Sequence, residues 1–329
     1  MIMSYCYKIY GLKIKSSRTI ELLPEHPDCI TDLNIIWTTD EDALDNELEW
    51  QPVVTRQLKE KERIAFFRAE TPDGPYFKVC FFTDFGKVAL IVDPAKINLL
   101  ILHDMEVSYS HLDSFFVGSI LGCILRLKGI LCLHASVINI EGHAILLTGK
   151  KRSGKSSTAK AFAELGFKIL SDDIAVITIT DNNFLVQSGY PKIRLRPKPL
   201  ELFYPDSNYE FVTVYSHRDS KYTDLNSSFW NTPLPLGAIY ILGETEGPND
   251  PPFITTISAE RMIHLHSNTF ASYIITPDLQ KKEFEMLGRI ARAIPVQYLH
   301  FGRNINLVYQ QCETILEDLK LLKDHKAEL

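Results

Sequence analysis

Residues 149–156 read Gly-Lys-Lys-Arg-Ser-Gly-Lys-Ser, the pattern G-x-x-x-x-G-K-[ST]. The spacing suits a loop that wraps phosphate. Gly149 and Gly154 have no Cβ to obstruct a backbone closing round an anion. The amides of Lys150, Lys151, Arg152 and Ser153, continuing through Gly154, Lys155, Ser156 and Ser157 into a helix start, would direct partial positive charge at it. Lys155 is placed to reach β- and γ-phosphates, and the Ser156 hydroxyl to hold Mg²⁺. Just before the loop, His143–Thr148 reads as an apolar strand. Just after it, Ser157–Leu165 reads as an amphipathic helix, and Gly166 stands where a C-cap belongs. This strand–loop–helix setting predicts a site for ATP or another nucleoside triphosphate, against the plainer alternative of a Gly-rich turn before an ordinary helix.

Moving outward, Phe167–Leu170 is a short strand, Ser171-Asp172-Asp173 follows, and Ile174–Thr180 is strand-like again. Two adjacent carboxylates between apolar strands are costly unless they meet a metal, a cation or a substrate. One such carboxylate can hold Mg²⁺ while its neighbour takes a proton from an attacking hydroxyl. Upstream, Cys132–Ile140, then Glu141-Gly142, then His143–Leu147 predicts a β-hairpin. The phosphate loop is therefore expected to follow an antiparallel strand and not the start of a βαβ unit.

Leu133-His-Ala-Ser136, the hairpin, Gly149–Ser156 and Leu170-Ser-Asp-Asp173 occur in an order and spacing that resembles the HPr kinase/phosphorylase catalytic domain. More closely, the chain resembles the HPr-kinase-like proteins of ribosomal-peptide gene clusters, including lasso peptide kinases. The strong likeness covers about 134–175, and a weaker one runs through Gly189–Pro197, Pro233–Tyr240 and the C-terminal helices. Tyr7–Lys15 also resembles the second group. The resemblance implies an α/β fold with an α+β mixed sheet, of the HPr kinase/phosphoenolpyruvate carboxykinase type. It implies that Asp173 is the proton-accepting base, that His134 lies near the phosphates, and that Lys155 and Ser156 hold nucleotide and Mg²⁺. Asp172 joins Ser156 as the expected metal ligand. His134 would orient Asp173 or a phosphate, or be an ordinary satisfied strand histidine. Where the family carries Glu-Ile-Arg-Gly, with a metal-binding Glu, this chain has Lys192-Ile-Arg194-Leu-Arg196. Lys150-Lys-Arg152 replaces small residues common in the family loop, as added phosphate affinity or as a solvated basic tip.

The first hundred residues differ in texture. Tyr5–Lys15 nearly alternates, Asp32–Trp37 is β-like, and Arg63–Glu70 and Tyr76–Thr83 flank the turn signal Thr71-Pro-Asp-Gly-Pro75. Asp84-Phe-Gly86 matches the protein-kinase metal motif by letters only and reads as a tight turn. This organisation predicts a β-rich N-terminal domain over 1–100, a candidate for substrate recognition, and a P-loop catalytic domain over 101–329. Leu112–Leu127 reads as a buried helix, short for a membrane span. Residues 203–232 form a polar stretch with His217, Arg218 and Lys221, suited to a substrate-capturing lid or to a solvated loop. Arg194 and Lys221 are the candidates for substrate phosphate or peptide. Helices are expected at about 258–270, 277–293 and 308–323.

With 329 residues, 45% hydrophobic and 23% charged, the chain can bury a sizeable core. A net charge of −6 offers no electrostatic case for nucleic acid. Six cysteines without a C-x-x-C predict reduced thiols, neither a disulfide framework nor a zinc site. No signal-peptide pattern opens the chain. These features suit a cytoplasmic enzyme with no membrane partner. The combined expectation is an ATP- and Mg²⁺-dependent kinase acting on a serine hydroxyl of a peptide, the family likeness pointing to the C-terminal serine of a lasso precursor. The alternatives are a small-metabolite kinase and a non-catalytic nucleotide-sensing module that binds peptide.

Overall fold

The computed structural model describes residues 4–27, 30–40, 48–57, 62–180, 183–205, 211–213, 220–257, 260–274 and 276–327. The chain divides into two compact units, 1–130 with 271–282, and 131–270 with 283–329.

Among its described residues the first unit holds eight strands: β1 (Tyr5–Ile9), β2 (Leu12–Ser16), β3 (Leu33–Thr38), β4 (Gln51–Gln57), β5 (Arg63–Ala69), β6 (Tyr76–Thr83), β7 (Gly86–Val92) and β8 (Asn98–His103). They form one sheet in the order β1-β2-β3-β8-β7-β6-β5-β4. The alternating Tyr5–Lys15 stretch is a hairpin turning at Tyr10-Gly11. Asp84-Phe-Gly86 is the β6–β7 turn, with the Thr83 hydroxyl donating to the Gly86 carbonyl at 2.6 Å. The expected boundary at residue 100 falls inside β8, and the unit continues through the apolar segment α1 (Tyr109–Phe115), a π-helical turn (Phe116–Ile120) and α2 (Leu121–Leu127). The physical reason is burial. Phe115 packs edge-on against Phe81 with ring centroids 5.2 Å apart, and Phe116 lies 5.7 Å from Trp37. Buried Asp113 pairs with Arg18 at 2.8 Å. The Tyr109–Leu127 stretch is long and apolar enough to cross a membrane, yet most of it is buried inside the protein. Segment 271–282 joins this unit through Cys123 Sγ, 3.2 Å from the Tyr273 hydroxyl, and Arg126, which donates to the Ile274 carbonyl at 2.8 Å.

Cys6 is disulfide-bonded, which corrects the expectation of six reduced thiols. Cys80, Cys123, Cys132 and Cys312 are buried and outside any disulfide. Pairing depends on which strands and loops the fold brings together, and cysteine spacing alone does not reveal that.

In the second unit, β9 (Leu131–Leu133), β10 (Ala135–Ile140) and β11 (His143–Gly149) lead into α3 (Lys155–Glu164). Next come β12 (Lys168–Ser171), β13 (Ala175–Ile179), β14 (Phe184–Gln187), β15 (Lys192–Leu195), α4 (Pro197–Phe203), β16 (Val212–Thr213) and β17 (Lys221–Asp224). The chain continues through β18 (Leu234–Glu244), β19 (Phe253–Thr256), α5 (Arg261–Ser267), α6 (Pro277–Ala293), β20 (Val296–Phe301) and α7 (Val308–Ala327). The main sheet is mixed. β10 and β11 form the expected antiparallel hairpin, β11 pairs in parallel with β18, and β18 pairs in parallel with β20. β12 is antiparallel to β10 and therefore runs the same way as β11. The carboxyl ends of β12, β11, β18 and β20 thus share one edge of the sheet.

Alternation along the strands explains the layers. Leu146, Ile239 and Ile241 join one core with Leu287 and Ile290 of α6. Ile145, Leu147 and Tyr240 join another with Phe162 of α3 and Ile315 of α7. Each fully buried Leu, Ile or Phe contributes about 1.5–3 kcal/mol. Helix α3 ends in a Schellman motif: Phe167 N donates to Phe162 O at 3.0 Å and Gly166 N to Ala163 O at 3.1 Å. One strand expectation is corrected. Cys132–Ile140 is two strands broken at His134, because β9 pairs with β13 while β10 pairs with β11 and β12.

Candidate active site

The phosphate-loop sequence emerges from the end of β11. Gly149 has φ 141°, and a Cβ there would stand 2.7 Å from the Leu242 carbonyl oxygen, so only glycine fits. Gly154 has φ 91° and is the N-cap of α3, with no side-chain cap bond. The first amides of α3 are therefore left to another acceptor. The Ser153 hydroxyl is buried and has no hydrogen-bond partner among the described residues. An orphaned buried donor beside an uncapped helix start fits a phosphate oxygen. Lys155 is buried, and its ammonium donates to the carbonyls of Gly149 at 3.0 Å and Lys150 at 3.1 Å. Burial pushes its pKa down, against the pull of Asp173 and Asp172. Lys150, Lys151 and Arg152 are exposed, and Ser156 and Ser157 are half-buried.

The Asp pair follows β12 and splits in two directions. Asp172 is 2% exposed. Its Oδ1 accepts from Ser136 Oγ at 2.6 Å and from the loop's Ser156 Oγ at 2.9 Å. Its Oδ2 accepts from the Arg194 backbone amide at 3.0 Å. Burial and the adjacent Asp173 push its carboxyl pKa up. Asp173 has φ 74°, a left-handed conformation that turns its side chain away from its neighbour's partners. Its Oδ1 lies 3.0 Å from Arg194 Nη2 and 3.1 Å from His134 Nε2. Burial opposes its charge, but Arg194, His134 and Lys155 hold the carboxyl well below the usual range. In turn Arg194, despite burial, is held more firmly protonated, chiefly by Asp173.

These groups line one cavity of about 560 Å³ at the shared carboxyl edge, within the second unit. Its wall includes His134, residues 151–158, both aspartates and Arg194. It takes Ser220 and not the neighbouring Lys221, which begins β17. Residues 206–210 and 214–219, including His217 and Arg218, lie outside the described residues. At the position of the family glutamate, Lys192 pairs with Asp224 at 2.7 Å.

Sequence reasoning left three residues unassigned. Ser136 stands inside the quoted Leu133–Ser136 motif, which was its only signal. Asn268 had none. Its side-chain carbonyl accepts from Gly149 N at 3.1 Å and its backbone carbonyl from His134 N at 2.8 Å, tying the strand break to the loop. Gln311 of α7 is 4% exposed and meets Thr158 Oγ1 at 2.8 Å.

The donor set suits Mg²⁺, which takes one or two protein oxygens and fills its shell with phosphate and water. Ser156 and Asp172 offer two hard oxygens side by side. Among the described residues no group of three or more His, Cys, Asp or Glu is arranged to hold a metal unaided.

The architecture defines a P-loop unit on a mixed α/β sheet, entered through an antiparallel hairpin. No family model matches the chain, and no curated protein does. Among solved structures it is similar to the Hpr(Ser) kinase/phosphatase from Coxiella burnetii, at 14% identity and a TM-score of 0.34, over 60% of this chain and 95% of that one.

Proposed function

We propose that this protein is a kinase that moves the γ-phosphate of ATP to a serine hydroxyl of a peptide. The observation that carries the reading is the division of labour in the Asp pair. Asp172 faces the loop hydroxyl of Ser156 at 2.9 Å, while Asp173 turns to His134 and Arg194. Ser156 and Asp172 would hold Mg²⁺, which when bound offsets charge on the phosphates. The loop amides, Ser153 and Lys155 bind and orient the triphosphate. Asp173 accepts the acceptor hydroxyl's proton. The contacts with Arg194 and His134 both fall on its Oδ1, which leaves Oδ2 for the acceptor. A strongly ionised carboxylate suits phosphoryl transfer, where the loose transition state calls for a positioned acceptor more than a strong base.

The choice of acceptor, the terminal serine of a lasso precursor peptide, rests on the family resemblance of the motifs. We assign acceptor recognition to the β-rich N-terminal unit on the same basis. Intact mass of a precursor peptide after incubation with ATP and Mg²⁺ tests this, with a gain of phosphate expected. Phosphorylation confined to a panel of small hydroxyl metabolites would show a metabolite kinase. Peptide binding with no mass gain on any acceptor would show a nucleotide-sensing module.

A further inference from the structure

The cavity extends well past the Asp pair, and its far wall has a different chemistry. β11, β12, β18 and β20 end on one edge, with the aspartates after β12 on one side of the loop and the ends of β18 and β20 on the other. The transferred phosphate must stand at Asp173, so the rest of the donor has to leave along the cavity toward β20 and α7. That end is lined by Phe301, Asn304, Ile305, Val308 and Gln311, among others. A Cβ placed on Gly154 would stand 3.8 Å from Phe301 Cζ, which puts the ring beside the loop. Val308 and Gln311 are three residues apart on α7 and therefore share a face. Of the two amide side chains at this end, Asn304 donates to Asn249 Oδ1 at 2.9 Å and accepts from the Asn306 amide at 3.0 Å, while Gln311 stands beside the apolar group. It is 4% exposed and is fixed by Thr158 Oγ1 at 2.8 Å, one turn into the helix that starts at the phosphate loop. Arg303 and Glu244 form an ion pair at the same end.

We infer that this end of the cavity is the nucleoside subsite of the donor. Phe301, Ile305 and Val308 supply apolar surface for the base, and the Gln311 amide meets its polar edge. Apolar surface with an anchored amide beside it is the usual chemistry of base recognition, since an amide offers a donor and an acceptor side by side. The assignment rests on the kinase reading's placement of the triphosphate. It also sets a direction: nucleoside at the β20–α7 end, and acceptor at the end where Arg194 meets Asp173.

The test is calorimetric titration of the full chain, with Mg²⁺ present, against ATP, GTP and inorganic tripolyphosphate. Wild type, Gln311→Leu and Ile305→Ala are compared, with thermal unfolding to establish that each folds. Wild type is expected to bind at least one nucleoside triphosphate about tenfold or more tighter than tripolyphosphate. Each variant is expected to lose most of that margin while keeping its affinity for tripolyphosphate. Ile305 is half-buried and on a different element, so it guards against a folding defect specific to Gln311. Equal losses for nucleotide and tripolyphosphate, or no loss in either variant, would overturn the subsite and leave the kinase reading standing. Failure of wild type to bind any of the three would sink both.

Discussion

Asp173→Asn separates the roles of the two carboxylates most cleanly. Asparagine tolerates the left-handed φ of 74° as well as aspartate does, so the backbone should stay in place. The amide oxygen can still accept from Arg194 Nη2 and His134 Nε2, which now lie 3.0 and 3.1 Å from Oδ1. What is lost is the charge. The hydrogen bonds to Arg194 and His134 each lose their ionised acceptor and weaken by about 1 kcal/mol. The side chains are 20% and 23% exposed, so solvent screening removes little of this. The expected destabilisation is about 2 kcal/mol. That is below the roughly 3–5 kcal/mol for an orphaned buried charge, because Asp172 stays near Arg194. For a unit of this size the melting temperature should fall by about 4–8 °C. The catalytic effect should be far larger. Removing a positioned base costs about 10²–10⁴ in rate. ATP affinity should change little, since Asp173 is not part of the loop. Single-turnover transfer to a peptide, ATP titration and thermal unfolding on one preparation give all three numbers. A transfer rate within tenfold of wild type, alongside the expected thermal shift, would show that Asp173 is only the counter-ion of Arg194 and would refute the assignment.

Four further predictions follow from the same geometry. Asp172→Asn should raise the Mg²⁺ concentration needed for half-maximal transfer, yet stabilise the metal-free protein at neutral pH. Its raised carboxyl pKa means the native state loses stability as pH climbs above the unfolded value of about 3.9, a loss the amide does not suffer; paired metal titrations and melting curves check both halves. Arg194→Met should move the acid limb of the pH–rate profile upward, because Asp173 loses the main cation holding its pKa down. Stability from that depressed pKa is complete above about pH 3.9 and fades only as pH falls toward the folded value, so the variant's stability deficit should be largest near neutrality and shrink in acid. Lys155→Ala should weaken ATP binding and cut transfer by at least about 10², with the fold intact by circular dichroism, since among the described residues the ammonium bonds only to loop carbonyls. Gly149→Ala should cost at least about 1–3 kcal/mol and abolish ATP binding, because the new methyl meets the Leu242 carbonyl at 2.7 Å; a melting curve and titration matching wild type would contradict the steric argument.

Much of the fold was legible because its signals are local. The apolar run before Gly149, the helix pattern after Ser156 and the Glu141-Gly142 turn each depend on neighbours within a few residues. The Asp pair stood out for the same reason, as charge between two apolar strands. The break at His134 was not legible, because Cys132–Ile140 reads as one strand-like run with no Gly or Pro, and only its pairing partners divide it. The unit boundary was missed for a related reason. A β-rich texture ends near residue 100, but the apolar segment beyond it buries its face on the preceding sheet.

The sequence by itself determined that a phosphate loop sits between a hairpin strand and a helix, with two carboxylates one strand further on. Spacing of Gly, Lys and Ser along a single loop is a contiguous property, and steric rules act on it directly. Only the tertiary structure decided which carboxylate faces the loop and which faces Arg194 and His134. It also made Arg194 the residue that holds both, with its amide on Asp172 and its guanidinium on Asp173. Asn268 and Gln311 entered the site the same way, from segments more than a hundred residues from the loop. Contacts of that kind exist only once distant segments pack, and no local pattern in the chain encodes where a side chain will meet its partner.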